Sequence, residues 1–407
     1  MADGLLSGFR ALDLTDYNGF ACGKILATLG VEVIKVEKPG GDPGRRIPPF
    51  FKSEGLYWLC WNTDKRSITL DLETSQGRDL FKKLVAKSDF VLESFQPGYL
   101  DHLDLGYEGL CKANPKIILA SISPFGQKGP QSHYKGPELV VSAMSGVLDN
   151  TGFPDRAPSK EALDSCYFHA NVAAALGSVM AHYYRGISGE GQHVDVSSQE
   201  VASSRTIINQ VLWEFDKRLL KRSGPVNQFG TMSFRWVWTC KDGHVFWSFV
   251  GGAIGSPANK ALSGWIDEDG MENPLREIDW DTFDIGKAPA ELAAKLQETV
   301  AEFFLKHTTK EIAEQGLKRG ANTFVVNNVV DVFEHPQLAA RDFWITLDHP
   351  ELGTSLTYPR QLILSSETEN FVTRRAPTAG EHNHEIYGEE LGLSSEEITS
   401  LQTANAI

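Results

Sequence analysis

The feature that most constrains this chain is the regular alternation of short apolar strands with helix-forming segments over its first third. FRALDLT (9–15) reads as a strand, GFACGKILATLG (19–30) as a small-residue helix ending at Gly30, and VEVIKVE (31–37) as a buried strand. SITLDL (67–72) follows, then a helix from Thr74 to Ser88 with Leu80, Phe81, Leu84 and Val85 along one stripe. DFVLESF (89–95), a helix near 106–114 and KIILASISPFG (116–126) extend the pattern. Parallel strands need crossover connections, and helices supply them, so this alternation predicts an α/β fold with a doubly wound, Rossmann-like parallel sheet.

A second stretch, ALDSCYFHANVAAALGSVMAHYYRGISGEGQHVDVSSQE (162–200), predicts a long helix, a glycine turn at Gly186, Gly189 and Gly191, and a strand from Val194. Ala170, Ala173, Ala174, Ala175, Gly177 and Ala181 form a face that admits another backbone closely, and Arg185 suits the helix C-terminus. Asp164 or Ser165 is placed to cap the helix. The long helical texture then continues through 199–222. Beyond it, residues 225–255 alternate like antiparallel strands with KDG as a hairpin turn, and 289–320 read as helical. The expected organisation is a large domain over 1–222, a smaller α+β domain over 223–330, and a return segment over 331–407 that completes the large domain. At 407 residues one core is not expected to serve the whole chain.

Composition narrows the function classes. A net charge of −14 disfavours nucleic acid and anionic membranes as general partners, and no apolar run approaches a membrane span. The five cysteines stand in no CxxC pair, so neither a disulfide framework nor a metal site is expected. MADGLLSGF lacks the form of a secretory signal, and a cytoplasmic location is expected.

The run NTDKRSITLDL (62–72), the strand-and-loop VEVIKVEKPGGDP, ESFQPG (93–98), NPKIILASISPFGQKGP, the SGEGQHVDVSSQE turn and HPQLAARDFW (335–344) occur in one order along the chain. Together they resemble the class III (CaiB/BaiF, formyl-CoA transferase-like) CoA-transferases. That resemblance implies a Rossmann-like large domain with a smaller domain, two subunits interlocked as rings, and CoA thioesters as substrates with no permanently bound cofactor. It implies coenzyme A contacts at Asn18, Lys38, Lys65, Arg66, Ser94, Phe95, His102 and Lys135, and an active-site loop at Gly251 and Gly252. From spacing alone, Lys65–Arg66 also reads as a solvated turn, and SFVGGAIG as a plain hairpin connection.

In the family an aspartate attacks the donor thioester to give a mixed anhydride, and CoA thiolate returns to form an aspartyl thioester. Counting back from Gly189 by the family spacing lands on Tyr167, with Asn171 four residues on. Tyrosine cannot form that anhydride. The nearest acid, Asp164, lies three residues upstream, about 4.5 Å along a helix axis. Gly136-Pro137-Glu138 stands where the related racemases carry a histidine, which disfavours racemisation. The pattern is similar to a subunit of the heteromeric benzylsuccinate CoA-transferases of anaerobic toluene degradation, the one without the aspartate. The expectation is a non-catalytic partner of a paralogous active subunit, moving CoA from succinyl-CoA to an acid such as benzylsuccinate. Two alternatives stand beside it: a self-sufficient homodimer using Asp164, and a non-enzymatic acyl-CoA-binding regulator.

Overall fold

The computed structural model describes residues 4–229, 232–368 and 371–407. Residues 1–3 of the N-terminal reading and 230–231 of the expected antiparallel stretch lie outside the described residues. The chain divides into two compact units, one comprising Met1–Leu148, Lys160–Leu219 and Gln337–Ile407, the other Asp149–Ser159 and Leu220–Pro336.

The larger unit is built on β1 (Arg10–Asp13), α1 (Phe20–Thr28), β2 (Glu32–Glu37), α2 (Leu56–Trp61), β3 (Arg66–Thr69), α3 (Ser75–Val85), β4 (Phe90–Glu93), α4 (Tyr107–Ala113), β5 (Ile118–Ser123), α5 (Glu138–Met144), α6 (Ser165–Ser188) and β6 (His193–Ser197). The six strands form one parallel sheet in the order β3-β2-β1-β4-β5-β6. This is the 3-2-1-4-5-6 order of doubly wound nucleotide-binding sheets. The strands are apolar on both faces because helices cover both. Leu12, Ile34, Ile68 and Val91 pack with α3 on one side. Ala11, Val33, Phe90, Leu92 and Ile118 pack with α1 and α6 on the other.

α6 lies against α1 and β5 through Ala170, Ala174, Ala175 and Ala181, all buried. A Cβ at Gly177 would come within 2.8 Å of the Val194 side chain, so the close approach to β6 needs glycine there. Gly189 closes the helix in the left-handed region at φ 77°. The expected helix over 199–222 is instead two, α7 (Ser198–Ser204) and α8 (Ile207–Asp216), followed by Lys217 at φ 51°. Ser204 and Thr206 donate their hydroxyls to the carbonyls of Val201 and Ser203, a back-bonding that competes with continuation of the helix.

The smaller unit holds an antiparallel pair, β7 (Val226–Phe229) with β8 (Met232–Arg235), and a three-stranded antiparallel sheet in which β9 (Val237–Thr239) and β10 (His244–Phe246) close over the KDG turn and Phe324–Val325 pairs with β10. The run SFVGGAIG does not continue as a hairpin. Gly251 is the N-cap of α9 (Gly252–Glu268), and α10 (Ala290–Lys306) and α11 (Thr309–Arg319) follow. Trp238, Trp247, Phe249, Leu262, Trp265, Phe303 and Phe304 make this unit's own core. Tyr387 and Ile386 of the final segment return to the core of the larger unit, where the Tyr387 hydroxyl donates to the Thr69 carbonyl. No described helix is long and apolar enough to cross a membrane.

Candidate active site

In a sheet of this order the strand sequence reverses between β1 and β4, and ligands bind in the crevice beyond the strand C-termini there. That crevice is formed by Thr15–Asn18 after β1 and Ser94–Phe95 after β4. The Ser94 hydroxyl lies 2.8 Å from both the Asp16 peptide nitrogen and Asp16 Oδ1, and the Asn18 amide donates to Asp16 Oδ2 at 3.0 Å. Asn18 and Ser94, both named from sequence, are thus brought together by Asp16, which sequence reasoning missed. Burial pushes the Asp16 carboxyl up, against the bonds it accepts from Ser94 and Asn18. Phe95 packs on Tyr99 with ring centroids 4.5 Å apart. Behind them Glu93, at the end of β4, accepts the Phe95 N–H at 2.7 Å. Burial pushes its carboxyl up to about 7, with Asp195 and Asp101 adding to the rise. Lys38, His102 and Lys135 are exposed.

Lys65 and Arg66 face inward. Lys65 is 1 % exposed, and its Nζ donates to Asp13 Oδ2 at 2.8 Å and to the Phe20 carbonyl at 2.9 Å. Lys35, also fully buried, lies 3.8 Å from Asp13 and 3.5 Å from Asp42. Burial alone would raise the Asp13 carboxyl, yet Lys65 and Lys35 outweigh it and hold it below its ordinary value. Arg66 is bound by Glu32, Glu385 and Glu390, tying the start of β3 to β2 and the final segment. Both cations join strands to one another, and neither offers a free face to a phosphate.

At the head of α6 the expected cap differs from the observed one. Asp164 occupies the N-cap position but makes no capping bond. Its carboxylate takes Lys160 Nζ at 2.9 Å and the Tyr57 hydroxyl at 3.3 Å instead. Ser165 donates to Glu161. The free N–H groups of Cys166 and Tyr167 are accepted by the two oxygens of Glu138, at 2.9 and 3.0 Å. Glu138, itself 6 % exposed, is the functional cap.

Tyr167 is 5 % exposed and donates its hydroxyl to the Gly136 carbonyl at 2.6 Å. Burial pushes the phenol far up, so it stays protonated. One turn on, Asn171 accepts the Cys22 N–H at 2.8 Å and donates to the carbonyls of Asn18 and Tyr167. It stitches α6 to α1. Tyr17, Ala21, Leu56, Tyr57, Cys60, Trp61, Leu163, Asp164, Tyr167 and Phe168 enclose a cavity of about 540 Å³ beside this turn. The run LYWLCW (56–61) supplies four of those walls, Leu56, Tyr57, Cys60 and Trp61.

Gly251 and Gly252 lie in the smaller unit. Gly252 has φ 70° and donates its N–H to the Phe283 carbonyl at 3.2 Å.

Comparison with known proteins identifies the family. The model of CoA-transferase family III matches residues 6–383. The chain belongs to that family. It is a class III CoA-transferase, with CoA thioesters as substrates. It is 32% identical to the succinyl-CoA:(R)-benzylsuccinate CoA-transferase subunit BbsE of Thauera aromatica, over 98% of each chain. It is 31% identical to the succinyl-CoA–D-citramalate CoA-transferase of Chloroflexus aurantiacus, over 99% of this chain and 98% of that one. A crystal structure of a CaiB/BaiF family protein from Brucella suis superposes with a TM-score of 0.79 at 27% identity, covering 96% of this chain and all of the other.

Proposed function

We propose that this chain is the supporting subunit of a cytoplasmic, succinyl-CoA-dependent class III transferase whose nucleophile is carried by a paralogous partner, with benzylsuccinate as the acceptor acid. One observation carries the reading: the residue at the family's nucleophile position is Tyr167, buried, protonated and hydrogen-bonded to Gly136. A phenol held in that state supplies no carboxylate for an acyl anhydride. The naming of BbsE as a subunit, and of both it and the D-citramalate enzyme as succinyl-CoA transferases, supports the partner and the donor.

The surface supports the partner too. Val172, Leu176, Met180, Tyr183 and Ile187 form a stripe along α6 at three- and four-residue spacing, all at least 42 % exposed. α8 has no buried residue while exposing Ile207, Ile208, Trp213 and Phe215. Contiguous apolar helix faces of this kind mark interaction sites.

In this reading Asn18, Ser94 and Phe95 line the crevice for the pantetheine and nucleotide of CoA. Lys38, His102 and Lys135 contact its phosphates, and Lys65 and Arg66 hold the strands that shape it. The partner's aspartate performs the acyl transfer, shielded from water because a mixed anhydride hydrolyses readily.

Asp164 lines the cavity, and that placement favours one competing reading, in which it acts as nucleophile in a homodimer. Co-expression with and without the paralogous chain, followed by a succinyl-CoA to benzylsuccinate transfer assay, separates the two. Transfer that needs the paralogue and survives Asp164→Asn supports the supporting-subunit reading. Transfer by this chain alone, lost in Asp164→Asn, overturns it.

A further inference from the structure

The cavity at the head of α6 has a composition unlike a site for a small dicarboxylate. Its walls are the rings of Tyr17, Tyr57, Trp61, Tyr167 and Phe168 together with aliphatic Leu56. Three of the polar groups that reach it are already engaged within the protein. The Tyr57 hydroxyl is on Asp164, Ser165 is on Glu161, and Asn171 is on α1. An incoming carboxylate would meet the Asp164 carboxylate inside. Lys160, bound to Asp164 at 2.9 Å with its side chain 37 % exposed, stands beside it, and Arg205 donates to Ser165 at 3.1 Å nearby.

About 150 Å³ of apolar space is enough to bind benzene, and ligand pockets begin at about 300 Å³. The 540 Å³ here therefore accommodates a ring and its linker. Trp61 and Phe168 stand with centroids 5.8 Å apart at a 38° tilt, and Tyr17 meets Tyr167 edge-on at 6.0 Å, arrangements that offer both ring faces and ring edges to a third aromatic.

We propose that this cavity is a non-covalent receptor for the aromatic body of a free aryl-substituted acid, held ring-inward with its carboxylates at the mouth beside Lys160. The subunit thereby binds the acid at its own head of α6 without reacting with it, a second acid site in the assembly. The inference rests on the reading of Tyr167 as a replaced nucleophile, since a reacting site would have to admit the thioester carbonyl instead.

The test is isothermal titration of the full chain, alone, with benzylsuccinate and with succinate. Benzylsuccinate is expected to bind at least tenfold more tightly than succinate. Phe168→Ala, which truncates a ring already 38 % exposed, is expected to weaken benzylsuccinate about tenfold. Leu56→Trp, which fills the cavity from its rim, is expected to abolish binding. Equal affinity for the two acids, no binding of either, or indifference to both Phe168→Ala and Leu56→Trp overturns the proposal. The transfer assay with the paralogue is run on the same variants. Transfer without acid binding to this chain overturns the receptor and leaves the subunit role standing. Binding with no transfer in any combination supports the receptor and removes the subunit role.

Discussion

Replacing Glu138 with alanine removes the acceptor of two peptide N–H groups at the head of α6, those of Cys166 and Tyr167, both buried. Hydrogen bonds to a charged group contribute about 1.5–3 kcal/mol each, but the pair shares one carboxylate, and capping losses run to about 2 kcal/mol. We expect Glu138→Ala to cost about 2–4 kcal/mol, and Glu138→Gln, which retains one acceptor, about half of that. Asp164→Ala removes only a partly exposed pair with Lys160 and a long bond from Tyr57, and should cost about 0–1 kcal/mol. Hydrogen exchange reads the effect locally. At about 2 kcal/mol the Cys166 and Tyr167 amides should exchange about 30-fold faster in Glu138→Ala, while Asp164→Ala leaves them nearly unchanged. Urea unfolding at fixed chain concentration reads it globally. A larger loss in Asp164→Ala than in Glu138→Ala would return the cap to Asp164 and refute the reasoning.

Lys65→Met leaves Asp13 buried without its closest counter-ion, and should cost about 3–5 kcal/mol by urea midpoint; Lys135→Ala should stay within about 0.5 kcal/mol while weakening CoA binding. If Lys65→Met instead leaves stability intact and weakens CoA alone, its phosphate role is restored. Glu93 titrates near 4.5 when unfolded and about 7 when folded, so the native state holds the extra proton between those values. Wild-type stability relative to Glu93→Gln should therefore fall as pH rises from about 5 to 8, by at most roughly 3 kcal/mol, and level off above. A pH-independent difference between the two proteins would show that Glu93 is ionised throughout.

The sheet was legible because its strands are short apolar runs between helices, a pattern that local residues carry alone. What escaped the sequence depends on partners far along the chain. Helix α6 begins where its small-residue periodicity starts, but its capping carboxylate, Glu138, lies 28 residues before the Cys166 amide it binds. Lys65 reads as a surface cation because its partner, Asp13, is 52 residues away on another strand. GGAIGSP has the low intrinsic helicity of a loop, and α9 forms there because Leu262, Trp265 and Ile266 anchor its later turns in a core. Of the site, the position of Tyr167 in the first turn of α6 was legible from spacing, and the residues Asn18 and Ser94, which Asp16 joins, were named by resemblance. The ring-lined cavity was not, because its walls come from α2, the α1 entry and α6, segments that only the fold brings together.

The most direct test of the central claim is CoA transfer from succinyl-CoA to benzylsuccinate by the purified chain, alone and then with its paralogue, trapping the acyl-enzyme and locating it by mass spectrometry. The account predicts no transfer alone, transfer in the mixture, and the covalent adduct on an aspartate of the paralogue. An adduct on this chain, at Asp164 or any other residue, would contradict it.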